Sequence, residues 1–305
     1  MNGSVSIERR RLFKDRLAGR LMHGLAVLSA LAVVIMAAAL FVRSAPILGG
    51  KPLTQLFCST AWYPSRGEFG FLAFIAGTIV VTAVACLLAV PVCILTAIYL
   101  SEYAARKIRE SVSPFIDVLA GIPSVVYGMW GVLVIVPFIA RRVAPFFGAS
   151  SSGYCVLAGG MVLAVMIMPI IIHVSLEVLR NVPAELREAS LALGATKWQT
   201  VKNVVLRRTR PGILAACVLG VSRAFGETIA VLMVVGNVAR IPKSVFDPAY
   251  PLPALIANNY GEMMSVPFYE SGLMLAAFIL LMVVLFFNVV SRVILGKVKW
   301  SVYGE

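Results

Sequence analysis

PAELREASLALGATKWQTVKNVVLRRTRP, residues 183–211, is a charged island in an apolar chain. Ten of the 36 residues from Ser175 to Arg210 are charged, yet apolar runs long enough to cross a bilayer flank the segment on both sides. Such a segment sits in water at a membrane surface. Pro183 suits the first turn of a helix, Leu186, Ala189 and Leu193 repeat at helical spacing, and Gly194 is placed to end that helix in a left-handed turn. Thr196 followed by Gln199 has the form of a capping box, after which Trp198, Val201, Val204 and Val205 line one face of a second helix. The spacing predicts two helices meeting at a glycine, a pattern that also fits a plain connector lying on the membrane.

The surrounding chain has 305 residues, 60% hydrophobic and 13% charged, with a mean hydropathy of +0.92. That composition predicts an all-α polytopic membrane protein. A spanning helix needs roughly 20 apolar residues. The candidate runs are Leu21–Val42, Phe71–Leu100, Pro114–Ala140, Tyr154–Val174, Gly212–Gly236 and Phe268–Leu295. Six transmembrane helices make one membrane domain, residues 21–295, between cytoplasmic ends at 1–20 and 296–305, with the loop at 175–210 also cytoplasmic.

The net charge of +13 is sorted by side. With the N-terminus inside, the inner segments hold nineteen basic residues and the outer segments seven, and Arg223 lies within a span. Arg141 and Arg142 fall on the outer side against this trend. The bias predicts an N-in, C-in topology and makes a nucleic-acid partner unnecessary. The basic start followed by an apolar run resembles a signal peptide, but Leu25–Val42 exceeds the usual length of such a core, so an uncleaved first span is expected. Cys86, Cys93 and Cys217 lie in spans, Cys155 at a span end and Cys58 in an outer loop, so neither a disulfide framework nor metal-ligand spacing is present. No metal or cofactor is expected.

Pro91 inside the second run predicts a tilt or kink, and Pro123 and Pro169 interrupt the third and fourth. Gly121, Gly128 and Gly131 are expected to admit neighbouring backbones, while Trp62, Tyr63 and Pro64 in the outer loop read as interfacial anchors. Arg223, halfway along the fifth run, costs roughly 2.5–3.5 kcal/mol to insert. Glu227, four residues on, shares its helix face and is expected to pair with it. Capping or snorkelling accounts for Asp117 and His173, packing accounts for Tyr127 and Trp130, and Glu102 reads as a solvated or loop-binding carboxylate.

Glu188-Ala189-Ser190, Gly194 and the run Val204-Val205-Leu206 resemble the EAA motif of ABC importer permeases, with Ser190 where Ala is usual and Arg207 where Pro usually follows. GTIV near residue 77, AIYLSEYA at 97–104, LAGIPSVVYGMWG at 119–131 and SRAFGETIAVLM at 222–233 are together similar to the PstC family of phosphate permeases. That resemblance implies the type I ABC importer permease fold in a bacterial inner membrane. It implies an ATPase-coupling loop carried by Glu188, Ala189, Ser190, Gly194 and Leu206, and a phosphate pathway past Arg223 and Glu227. The implied partners are a PstA-like second permease subunit, a PstB-like ATPase dimer and a periplasmic PstS-like phosphate-binding protein. The chain has no GxxxxGK[ST] loop, so the energy is expected from the partner and the chain itself is not expected to be an enzyme. The alternatives are a PstA-like, sulfate or molybdate permease of the same architecture, a proton-coupled carrier using Glu227, and a purely structural membrane subunit.

Overall fold

The structure is a computed structural model that describes the backbone of residues 2–262 and 266–303 and the side chains of residues 17–262 and 266–294. The expected tail at 296–305 and most of the segment at 1–20, with their basic side chains, lie outside the described side chains.

The chain is almost entirely helical. In order it forms α1 (Asn2–Gly50), α2 (Leu53–Cys58), a two-residue-per-strand hairpin of β1 (Trp62–Tyr63) and β2 (Glu68–Phe69), α3 (Leu72–Ile98) and α4 (Arg106–Gly121). There follow α5 (Ser124–Phe146), α6 (Val156–Arg180), α7 (Ala184–Ala192), α8 (Lys197–Thr200), α9 (Leu206–Gly226), α10 (Ile229–Val234), α11 (Leu252–Asn259) and α12 (Tyr269–Tyr303). Among the described residues, five stretches are long and apolar enough to cross a membrane: the helices at Leu17–Gly50, Leu72–Tyr103, Ser124–Phe146, Val156–Arg180 and Tyr269–Ile294.

Two of the expected spans differ. The third does not begin at Pro114: α4 ends at Gly121, Ile122 is extended (ψ 128°), and α5 starts after Pro123. Proline lacks an N–H and disfavours the helical conformation of its predecessor, so the helix breaks there. Arg141 and Arg142 then fall inside α5 rather than in a loop. The fifth expected span is two pieces, because α9 ends at Gly226, Glu227 is extended (ψ 126°), and α10 restarts at Ile229. By contrast α3 runs through Pro91 and α6 through Pro169 as single helices.

α3 packs along α6, and α9 crosses both α6 and α12. Lipid tails are as apolar as leucine, so close packing drives these contacts more than the hydrophobic effect does. The α3–α6 seam is accordingly narrow: Ala85, Ala89 and Cys93 are buried, and a Cβ on Gly160 would run into the side chain of Val84. On α9, Gly212 and Gly220 sit against Val178 and Ile171 of α6. Gly128 meets Ala230 and Met233, and Gly131 meets Val162 and Val234, as expected of packing glycines. Gly121 instead closes α4 and faces open space. α1 packs on α12 and leaves Leu21, Leu25, Leu28 and Val34 exposed, as a lipid-facing helix must.

One end of the bundle is closed by an aromatic cluster. Trp62 packs on Phe69, Phe71 and Phe74 with ring centroids 5.5, 5.6 and 5.0 Å away, so it anchors the hairpin to α3, and of Trp62, Tyr63 and Pro64 Tyr63 alone is exposed. The Leu252 amide donates to Thr78 Oγ1 at 2.9 Å, fastening α11 to α3.

An impermeant maleimide applied to intact cells is expected to modify Cys58, which is exposed. It should spare Cys155, which is buried and whose thiol pKa burial pushes up, leaving less thiolate. Labelling of Cys58 only after permeabilisation would place its loop inside. Gly160→Val should destabilise the bundle by about 1–3 kcal/mol through overpacking at Val84, read as a lower melting temperature in detergent.

Candidate functional site

The charged segment folds as its turn chemistry predicts. α7 ends in a Schellman motif, in which Ala195 N–H donates to Ser190 O at 3.2 Å and Gly194 N–H to Leu191 O at 2.9 Å. This requires a left-handed residue, and Gly194 has φ +82°. Thr196 and Gln199 form the capping box of α8, with Thr196 N–H donating to Gln199 Oε1 at 2.8 Å and Gln199 N–H to Thr196 Oγ1 at 3.3 Å. α8 then continues through a wide turn at Val201–Val205 into α9. The second helix of the loop therefore runs on into α9 without a break.

The apolar residues of this segment divide between two surfaces. Val201 and Val205 are buried with Ala97, Ile98, Leu179 and Val182, which roots the loop on the ends of α3 and α6. Leu191, Leu193 and Trp198 point outward, with Leu193 89% exposed. Helical spacing had placed Leu193 with Leu186, which is half-buried; the turn at Gly194 swings Leu193 away. Glu188 and Ala189 are also exposed, whereas Ser190 faces inward and its hydroxyl lies 2.9 Å from that of Thr200, linking α7 to α8. Leu206 is half-buried beside the root cluster.

Two residues assigned no definite role from sequence tie this loop to the spans. Arg187 Nε and Nη2 donate to Glu102 Oε2 and Oε1 at 3.2 and 2.9 Å, while Nη1 donates to Val182 O at 2.6 Å and Nη2 also to Leu179 O at 3.0 Å. Glu102, only 8% exposed in its side chain, lies in the wide turn Tyr99–Tyr103 that ends α3. Of its two sequence readings, loop binding is the one the structure bears out. Lys197 Nζ sits 4.7 Å from the centroid of the Tyr103 ring, joining α8 to the same turn. The sequence signal available was an acid beside two tyrosines just past an apolar run, and an arginine inside the motif.

The second candidate site is the α9–α10 break. Arg223 and Glu227 do not pair: among the described residues no ion pair joins them. The shared helix face that pairing required is lost, because the backbone turns extended at Glu227. Glu227 instead accepts a long hydrogen bond, 3.5 Å, from Ala230 N–H at the start of α10, and it borders a narrow crevice with Thr78, Thr82 and Pro253. Arg223 is exposed on the surface of the subunit. The contacts of Gly128 with Ala230 and of Gly131 with Val234 align α5 and α10 in the same direction, so the break at Pro123 and the break at Glu227 lie side by side. Asp117 and His173 pair at 3.0 Å at the surface between α4 and α6.

A model of the binding-protein-dependent transport system inner membrane component family matches residues 89–298, which include both sites. The chain belongs to this family of ABC importer permeases. The phosphate transport system permease protein PstC of Xylella fastidiosa strain 9a5c is 39% identical over 270 residues, 82% of this permease and 83% of that protein. The protein of the same name from Haemophilus influenzae is 32% identical over 311 residues, 95% of this permease and 97% of the relative. A crystal structure of a bacterial ABC transporter involved in the import of the acidic polysaccharide alginate aligns with a TM-score of 0.57 over 92% of this permease and 98% of that chain. At 15% identity that likeness speaks to the fold alone. The permease is a multi-pass inner membrane subunit, and importers of this family draw on a separate ATPase and a binding protein.

Thr196→Ala should cost about 1 kcal/mol by removing the capping box, read as faster amide exchange in α8. Gly194→Ala should cost about 1–2 kcal/mol because φ is positive there, with the effect confined to the junction of α7 and α8.

Proposed function

We propose that this permease is the PstC-type subunit of an ATP-driven importer of inorganic phosphate. The observation that carries the reading is Arg223, an arginine in the fifth apolar run of the sequence, without a carboxylate partner among the described residues and exposed on the subunit surface. A fixed cation in that position needs an anion or a facing subunit. A guanidinium fork suits an anion with several oxygens, and a moving anion supplies compensation only while it passes. Glu227, four residues on at the break, contributes a negative charge that keeps the anion from being held tightly. The PstC relatives support phosphate as the ion.

In this reading α9 and α10 together make the fifth of six crossings, with both termini in the cytoplasm. The surface of Arg223 faces a PstA-like second subunit, so that the pathway runs between the two. The outward residues Leu191, Leu193 and Trp198, with Glu188 at their edge, dock in a groove of a PstB-like ATPase dimer. Closure of that dimer moves the loop and biases the spans between outward-open and inward-open states, while a PstS-like protein delivers phosphate from the periplasm.

In the reconstituted four-component complex, Arg223→Gln should lower phosphate uptake at least tenfold while the ATPase still co-purifies and still hydrolyses ATP. Normal uptake by that variant would reduce Arg223 to a structural residue. Excess sulfate should leave uptake unchanged, and uptake should continue with the proton gradient collapsed. Leu193→Asp should release the ATPase without disturbing the membrane domain, since Leu193 touches little of its own chain.

A further inference from the structure

α7 is a poor mechanical part by itself. It is nine residues long, none of them buried, and only Leu186 reaches the root cluster. A helix that short is marginal without tertiary support. The strongest link from α7 to the membrane domain is the single guanidinium of Arg187, which joins α7 to Glu102 at the end of α3 and to the Leu179 and Val182 carbonyls at the end of α6. Both partners are largely withdrawn from water, with side-chain exposures of 23% and 8%, so the pair is screened far less than a surface bridge.

The turn that carries Glu102 is itself held. Arg109 donates to the Leu100 and Ser101 carbonyls at 2.9 and 3.2 Å, and Ser101 Oγ donates to Glu102 Oε1 at 2.9 Å. Behind the turn, α3 and α6 share one packed core from Val81 to Leu100 and from Val156 to Leu176. A displacement of α7 is therefore delivered to a rigid pair of spans.

We infer that Glu102, through Arg187, is a positioning residue that makes the coupling loop and the α3–α6 pair move as one body, so that ATP hydrolysis is converted into transport. This rests on the reading that residues 188–206 dock the ATPase. Neither residue touches the transported ion, and Arg187 is not part of the outward surface. Without the tie, α7 would follow the ATPase while the spans stayed behind.

Glu102→Gln is the main test, because it preserves shape and removes the charge; Arg187→Lys, which keeps charge but not the two-pronged fork, is the second. Both variants are measured in the assembled complex for phosphate transported per ATP hydrolysed, and for amide exchange of residues 184–192 in detergent. The expected result is co-purification of the ATPase, hydrolysis within twofold of the unmodified complex, transport per ATP reduced at least fivefold, and faster exchange in α7 with α3 unchanged. The double variant should be no worse than Glu102→Gln alone, since the two residues act as a unit. Unchanged transport per ATP would overturn the inference, as would loss of uptake and hydrolysis by the same factor, or unchanged exchange in α7. Retention of the ATPase by Leu193→Asp would instead refute the docking reading, and failure of the unmodified complex to take up phosphate would refute the phosphate reading, while the exchange measurement would still judge the tie.

Discussion

Hydrocarbon offers no hydrogen-bond partner to a peptide group, and several irregularities in this protein are met by side-chain donors. Where the helical ladder is interrupted, a side chain takes over the freed carbonyl. Tyr127 Oη donates to Leu119 O at 2.7 Å next to the break at Pro123, and Asn237, with φ +52°, donates from its amide to Leu232 O at 2.8 Å at the end of α10. At the wide turn of residues 201–205 the Thr209 hydroxyl donates to Val205 O at 2.8 Å. The turn ending α3 receives two bonds from Arg109. The same rule governs contacts between spans: Ser291 Oγ donates to Ala215 O at 2.9 Å, and Asn288 bridges α12 to Ser222 on α9.

Here the helix that follows the break at Pro123 packs on the helix that follows the break at Glu227, through Gly128 against Ala230 and Gly131 against Val234. The water-exposed segment is under no such constraint. It is built from two short helices, a Schellman turn and a capping box, which leave Leu191, Leu193 and Trp198 facing outward. The Arg187–Glu102 pair stands at the boundary between the two regimes, where a charge pair is partly dry and still close to water.

Much of the charged loop was legible beforehand because its determinants are local. Gly194, Thr196 and Gln199 act over four or five residues, and the family resemblance covers the same stretch. The pairing of Arg223 with Glu227 was misread for the opposite reason: the i,i+4 argument assumes an unbroken helix, and the backbone turns extended at Glu227. The third span was placed too early because apolar content was counted across Pro123, although α4 carries Arg106, Lys107, Arg109 and Glu110 in its first turns. Pro169 was over-read as an interruption; a proline that lies within a packed helix costs a hydrogen bond without ending the helix.

The sequence by itself determined that the chain is a helical membrane protein, where its charged loop lies, how that loop turns, and which family it belongs to. These depend on composition and on spacings of a few residues. The tertiary structure decided which apolar residues of the loop face outward, that Glu102 is the partner of Arg187 across 85 positions of chain, and that Arg223 stands apart from Glu227. Each of those depends on which elements pack side by side, and side-chain contacts between distant segments leave no periodic mark in the sequence of either one.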